Sequence, residues 1–416
     1  MKRTWVLALL LAAALAGSVL AWAGIRQDRE FRRLIALGDA SLARDQMSVA
    51  IEAFSGAVAL KPDSMLGFLK RGDTYRRRGE FPAALRDLRQ AAALEPAAPR
   101  PLELLGDVNM SMGRFERGVE HYARFIALDD RSPRVLYKLA LAHYRNEQAV
   151  LAIDPLRAAI AIDERFAEAH HLLGMCLRER RRDAEALRSL ARAIALNPAF
   201  TAARAELADL YRALGRSRER IEQLEALAAL EPSSPERLVA VGLAYARLGR
   251  QDAAVLTLGR AAERYPQEPV VYTALGRVWL DAAEARADRA ALRKAIEALE
   301  PIAARDDAHA DILALYGRAL FQSGDAAGAE RVLLRATSRL PVDPAAFLYL
   351  AAAAERLTHG ATADTARASH ATLSGSDAAG TDSQIAQLLA LQQRLRLTAA
   401  GSSPGPARRA GRLPGN

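Results

Sequence analysis

A step of 34 residues constrains this chain more than any other feature. From the glycine of Ala36-Leu37-Gly38-Asp39, steps of 34 land on Gly72, Gly106, Ala140, Gly174, Ala208, Gly242 and Gly276. One stretched step of 41 then reaches Gly317, and a further 34 reaches Ala351. Seven of these ten positions are glycine, whereas 26 glycines in 416 residues would place fewer than one there by chance. Twelve residues after the small residue stand Ala50, Ala84, Gly118, Ala152, Ala186, Arg220, Ala254 and Ala329. Twenty-four after it stand Pro62, Pro96, Asp130, Glu164, Pro198, Pro232, Pro266 and Pro341. A fixed period of this size is the mark of a repeat array.

Between these marks the apolar residues recur at helical spacing, as in Leu187-x-x-Leu190-x-x-Ala193-Ile194-x-Leu196. Each unit therefore predicts two antiparallel helices joined by a short turn. A small residue in each helix lets the pair cross closely. Proline closes the second helix, because it lacks an N–H and clashes with the preceding turn.

Residues 65–98 carry Phe68, Gly72, Tyr75, Gly79, Ala84, Leu88, Ala91, Leu94 and Pro96 in order. Residues 235–268 carry Leu238, Gly242, Tyr245, Gly249, Ala254, Leu258, Ala261 and Pro266. This pattern resembles the tetratricopeptide repeat family. The resemblance covers residues 31–343 as nine repeats, with a further first helix at 344–357. It departs at Asp130 and Glu164 for proline, at Arg220 for alanine, and by about seven extra residues in the eighth repeat. Those residues are expected to lengthen the turn near Asp281–Asp288 or its flanking helices. The implied fold is all-α: a right-handed α-solenoid of stacked helix-turn-helix repeats, preceded by one N-terminal hydrophobic helix. A lone helical pair cannot cover its apolar face, so the pairs stack and the ends need covers. Residues 344–398 are the expected C-terminal cover, and 399–416, rich in Gly, Ser and Pro, the expected disordered tail.

Ahead of the repeats, Met1-Lys2-Arg3 precedes an apolar run from Trp5 to Ile25. As a helix that run spans about 30 Å, the thickness of a bilayer's hydrocarbon core. Two readings stand: an uncleaved anchor over residues 1–25, or a signal peptide cut near Ala23, where Ala21-Trp22-Ala23 fits A-x-A. Basic residues flank both ends of the run, so charge hardly fixes its orientation. A short N-terminal segment normally inserts with its start in the cytoplasm, which exports the body. The expected location is thus a bacterial inner membrane, crossed once, with the repeats in the periplasm. The alternative is release into the periplasm.

The formal charge of +9 sits at the ends. Residues 1–33 hold six basic against two acidic residues, and 401–416 hold three arginines and no acid, leaving about two charges for the body. A nucleic-acid partner is therefore not expected. The single cysteine, Cys176, excludes a disulfide framework and reads as a packing residue. Phosphate-loop, dinucleotide and zinc-protease motifs are all missing from the sequence. The adjacent His170 and His171 point about 100° apart on a helix and cannot chelate as an i, i+4 pair would. In the repeat register His170 takes a core position and His171 faces inward. No enzyme activity, cofactor, metal or small-molecule substrate is expected.

The resemblance implies instead a protein–protein scaffold whose first helices line an inner groove. Carried over by register, the lining is Asp73, Arg76, Arg77, Asp107, Tyr137, Tyr144 and Arg145, then His171, Met175, Arg178, Asp209, Arg212, Arg247, Arg277, Arg318 and Phe321. This ladder of arginines with aromatic interruptions suits a peptide carrying acidic residues, because guanidinium groups bind carboxylates in bidentate fashion and stack on rings. The alternative is ordinary solvated charge in a chain with 53 arginines and five lysines. The acids Asp39, Asp73, Asp107 and Asp209 stand where chaperone-binding relatives place an amide donor, which argues against a chaperone-tail clamp. Anchored proteins of this kind serve envelope assembly, secretion or export. A soluble adaptor and a non-catalytic subunit of an envelope enzyme are the alternatives.

Overall fold

The computed structural model describes residues 2–339, 341–375 and 377–400. Among them are twenty-one helices and no strand. Two compact units divide the chain, residues 1–206 and 207–416. The first holds α1 (Lys2–Ala43) with α2 (Met47–Leu60), α3 (Met65–Arg77) with α4 (Phe81–Leu94), α5 (Pro99–Ser111) with α6 (Phe115–Leu128), α7 (Pro133–Arg145) with α8 (Ala149–Ile162) and α9 (Ala167–Glu179) with α10 (Asp183–Leu196). The boundary falls inside α11 (Thr201–Ala213). The second unit continues with α12 (Ser217–Leu230), α13 (Pro235–Arg247) with α14 (Gln251–Arg264), α15 (Pro269–Arg286) with α16 (Arg289–Ala303) and α17 (Ala310–Ser323) with α18 (Ala326–Thr337). It ends with α19 (Ala345–Arg356), α20 (Gly360–Ser374) and α21 (Ala378–Ala400). In each unit the helices stack in pairs, the second helix of one pair packing on the first helix of the next.

The period explains the pairing atom by atom. At Gly106 a Cβ would stand 2.4 Å from the Tyr122 ring, so only glycine lets α5 and α6 approach this closely. Ala50, Ala84, Ala152, Ala186, Ala254 and Ala329 are fully buried at the matching place on the second helices. Pro62, Pro96, Pro198, Pro232 and Pro266 each follow directly on the residue that ends the helix. At Asp130 and Glu164, where proline is replaced, α6 and α8 still stop after 14 residues. Here Asp129 and Asp163 turn the chain, their carboxylates accepting the backbone N–H groups of Arg131 at 3.1 Å and Arg165 at 2.9 Å. An aspartate turn thus does the work of the missing ring.

The extra residues of the eighth pair go chiefly into the helices. α15 has 18 residues and α16 has 15, against 13 and 14 in the pair α13–α14. Ala287 then turns the chain with φ 52°, and the Asp288 carboxylate caps α16 through the N–H of Ala290 at 2.8 Å.

α21 lies across the inner helices α17 and α19 as well as α20. Ile385, Leu388 and Leu389 pack with Phe321 and Tyr349, while Leu391 and Leu395 join the core built on α15 to α18. Gln392 Nε2 donates to the Phe321 carbonyl at 2.5 Å. Eight of the twelve residues of α19 are buried, as suits a helix covered on several sides.

The backbone of the apolar run belongs to α1, which runs on unbroken into the first pair and buries Phe31. Most side chains of Trp5–Ile25, on which the anchor expectation falls, lie outside the described residues, as does the tail from Gly401. Among the described residues, no helix is long and apolar enough to cross a membrane.

Candidate functional site

In the first unit the face expected to line the groove is a net of ion pairs. The Asp73 carboxylate holds Arg76 at 2.7 Å and Arg77 at 3.1 Å. Asp107 accepts from the Tyr122 hydroxyl and from Lys138 Nζ, each at 2.7 Å. Beneath it Glu103, only 1% exposed, meets Lys138 at 2.7 Å, Arg134 at 2.8 Å and also Arg100. Burial alone would raise the Glu103 carboxyl, but the bonds and charges of Lys138 and Arg100 outweigh it and hold the group below its ordinary range. Burial and the Asp107 charge push the Tyr122 hydroxyl upward.

Further along, the face becomes aromatic and apolar. Tyr137 packs tilted against Phe166 with ring centroids 5.2 Å apart, and His171 meets Phe200 edge-on at 4.9 Å. Burial, then the Arg178 charge, lowers the His171 imidazole, which is therefore neutral near pH 7. Tyr144 of α7 and Met175 of α9 are half-buried on the same two helices as Tyr137 and His171. Burial and the Glu179 carboxylate push the Tyr144 hydroxyl up to about 12. Arg178 pairs with Glu206. Arg145 is exposed and makes no ion pair among the described residues.

In the second unit Arg212 pairs with Asp209 at 3.3 Å, both well exposed. Arg318 pairs with Glu284 and lies 5.8 Å over the Tyr349 ring. Exposed Arg277 borders a groove of about 580 Å³ whose apolar floor includes Val239, Leu243 and Ile312. Arg247 is exposed, without an ion pair among the described residues. Phe321 corrects the sequence expectation: it is fully buried, meeting Tyr349 at 5.9 Å under α21. A helix outside the period, α21, covers that side of α17 and α19.

Two further readings change. The arginine ladder is not a row of open guanidinium groups, since Arg76, Arg77, Arg178, Arg212 and Arg318 each hold a carboxylate. His170 is not a core residue: half-buried, its Nε2 sits 3.2 Å from the Glu164 carbonyl, beside a surface groove with Arg157, Arg188 and Arg192. Sequence reasoning also passed over Glu103, Lys138 and Glu206 as members of this face. Only their place near each repeat's small residue could have marked them. Among the described residues no group of His, Cys, Asp and Glu is arranged to hold a metal ion.

Two family models, both described as tetratricopeptide repeat, match the chain. One covers residues 69–111, 103–164 and 205–269, and the other covers 167–200. These segments of the chain are tetratricopeptide repeats. No curated protein matches this repeat protein. Among solved structures, the C-terminal part of a repeat-containing protein from Cytophaga hutchinsonii is 16% identical, with 59% of this chain and 99% of that one covered and a TM-score of 0.51. YrrB, titled a repeat protein with an unusual peptide-binding site, is 21% identical over 46% of this chain and 98% of its own, at a TM-score of 0.41. The PilF protein of Pseudomonas aeruginosa is 20% identical over 50% and 94%, at 0.40. These likenesses bear on the fold alone.

Proposed function

We propose that this repeat protein is a membrane-tethered scaffold of the bacterial envelope, without catalytic activity, that holds acidic peptide segments of partner proteins on the inner faces of its first helices. The observation that carries the reading is the patch of Tyr137, Tyr144, His171 and Met175, half-buried and bordered by Arg145, which has no carboxylate of its own. Rigid rings supply contact area at low entropic cost, and an open guanidinium selects for a carboxylate. The apolar run Trp5–Ile25 supports the tether by its length.

A photoreactive residue at Tyr144, activated in living cells, tests the scaffold directly. The expected result is one or a few discrete adducts with acidic partner segments, weakened by Arg145→Glu. An empty lane, or adducts indifferent to that reversal, rejects the groove. A second reading, a soluble periplasmic adaptor, is favoured by Ala21-Trp22-Ala23, which fits A-x-A. Mass spectrometry of the mature N-terminus separates the two, an intact start supporting the tether.

A further inference from the structure

Arg220 stands where the other repeats have alanine or glycine, and the six alanines at that place are fully buried. A guanidinium there must pass between helices instead of ending as a methyl group. Its Nε is enclosed and has no hydrogen-bond acceptor. The charged groups that face it are Arg247 of α13, Arg212 of α11 and Asp209 of α11. Asp209, the one acid among them, is engaged by Arg212 at 3.3 Å. Of the acids of α12 itself, Glu219 pairs with Arg216 at 2.7 Å, Glu225 receives the Tyr245 hydroxyl, and Glu222 is not among the charges that act on Arg220. Arg220 therefore stands among two other guanidinium groups, from the helices before and after it, with a single carboxylate in their midst. Burial first, then the charges of Arg247 and Arg212, lowers the Arg220 guanidinium from its ordinary value.

We infer that Arg220, with Arg212 and Arg247, forms an oxyanion cluster that takes the side-chain carboxylates of an acidic peptide segment bound to the second unit. The inference rests on the inner-face scaffold reading and adds to it a residue from a second helix, which that reading does not use. A planar fork with unmet donors binds a carboxylate in bidentate fashion, and two flanking cations accommodate a second one. An unpaired, part-buried cation is destabilising where it sits, and alanine demonstrably fits the same place in sister repeats. Binding and stability are thus opposed at this residue.

The experiment measures both on the full chain. Fluorescence anisotropy follows a fluorescein-labelled hexaglutamate peptide, with hexaglutamine as control, and circular dichroism follows Tm. The expected result is saturable hexaglutamate binding that weakens with salt and falls about tenfold or more in Arg220→Ala. In the same variant Tm should rise by about 2–4 °C. Equal binding by Arg220→Ala, a lowered Tm in that variant, or no hexaglutamate binding by the parent chain each overturns the inference. The wider reading fails separately: loss of Tyr144 crosslinks alongside intact Arg220-dependent peptide binding would reject the first-unit groove and leave the cluster standing. Tyr144 crosslinks that persist while Arg220→Ala binds normally would do the reverse.

Discussion

Glu103 is the most committed charge among those described in the first unit, since three cations close around a carboxylate that water hardly reaches. Arg100 and Arg134 are half exposed and can turn outward if it is lost, but Lys138 would keep only Asp107. Glu103→Ala should therefore cost about 2–4 kcal/mol, less than a fully buried pair broken on one side, read as a drop in the unfolding midpoint. The sign of its pH dependence follows from a folded pKa below the unfolded one. Its contribution is complete above about pH 4.5 and is lost as pH falls through the folded value. Tm should thus fall more steeply below about pH 4.5 in the parent than in Glu103→Gln. Cys176 behaves in the opposite sense, because burial pushes its thiol up to about 12. It should resist a disulfide reagent at pH 8 until the chain unfolds. On the inner face, surface ion pairs contribute about 0–1 kcal/mol, so Arg145→Ala should weaken partner capture only about fivefold or less. Tyr144→Ala, which removes a half-buried ring, should cost about tenfold or more in the same pull-down titration.

At the scale of one helix pair, close packing and helix propensity pull in opposite directions, and the structure decides between them. Alanine is intrinsically better in a helix than glycine by about 1 kcal/mol. At Gly106, however, the new methyl would press into the Tyr122 ring, which is buried and pinned by Asp107 at 2.7 Å. Overpacking of this kind costs about 1–3 kcal/mol, so Gly106→Ala should lower Tm despite its propensity. Arg181 is the converse case. It holds φ 57° in the turn of the fifth pair, where Gly79 and Gly249 serve in others. Relief of that left-handed backbone, about 1–2 kcal/mol, exceeds the entropy glycine adds to the unfolded chain, so Arg181→Gly should stabilise slightly in denaturant melts. These elements were legible in the sequence because each local signal recurs in phase: small residue, small residue, proline. The helix ends at Asp129 and Asp163 were legible only as departures, since an aspartate turn replacing proline has no periodic signature. Ion pairing was not legible at all. Lys138 meets Asp107 across 31 residues, and the period states which face each occupies but not which carboxylate a long side chain will reach.

At the scale of the chain, two helices escape the repeat and set what surrounds it. α21 covers the inner face of the last pairs, with Gln392 bonded to Phe321 across 71 residues, which is why the register alone exposed a ring that is in fact buried. Truncation after Gly375 strips Ile385, Leu388, Leu389, Leu391 and Leu395 from that face. At about 1.5–3 kcal/mol for each of the buried Ile385 and Leu395, with less from the half-buried Leu388, Leu389 and Leu391, the loss is a large fraction of the stability of an ordinary domain. Because a stack of repeats is held by neighbour interfaces, hydrogen exchange should quicken in α17 to α20 while α3 to α10 keep their protection. Simultaneous loss of protection in α3 to α10 would contradict this neighbour-limited account. At the other end, α1 passes from Ile25 to Phe31 with no loop between them, six residues or about 9 Å of continuous rod. Whatever grips the beginning of that rod also sets the azimuth of the first pair. Inserting a single alanine between Ile25 and Phe31 would lift that pair by about 1.5 Å and swing it through about 100°, so the compass bearing from which a partner must approach is geared to residue count.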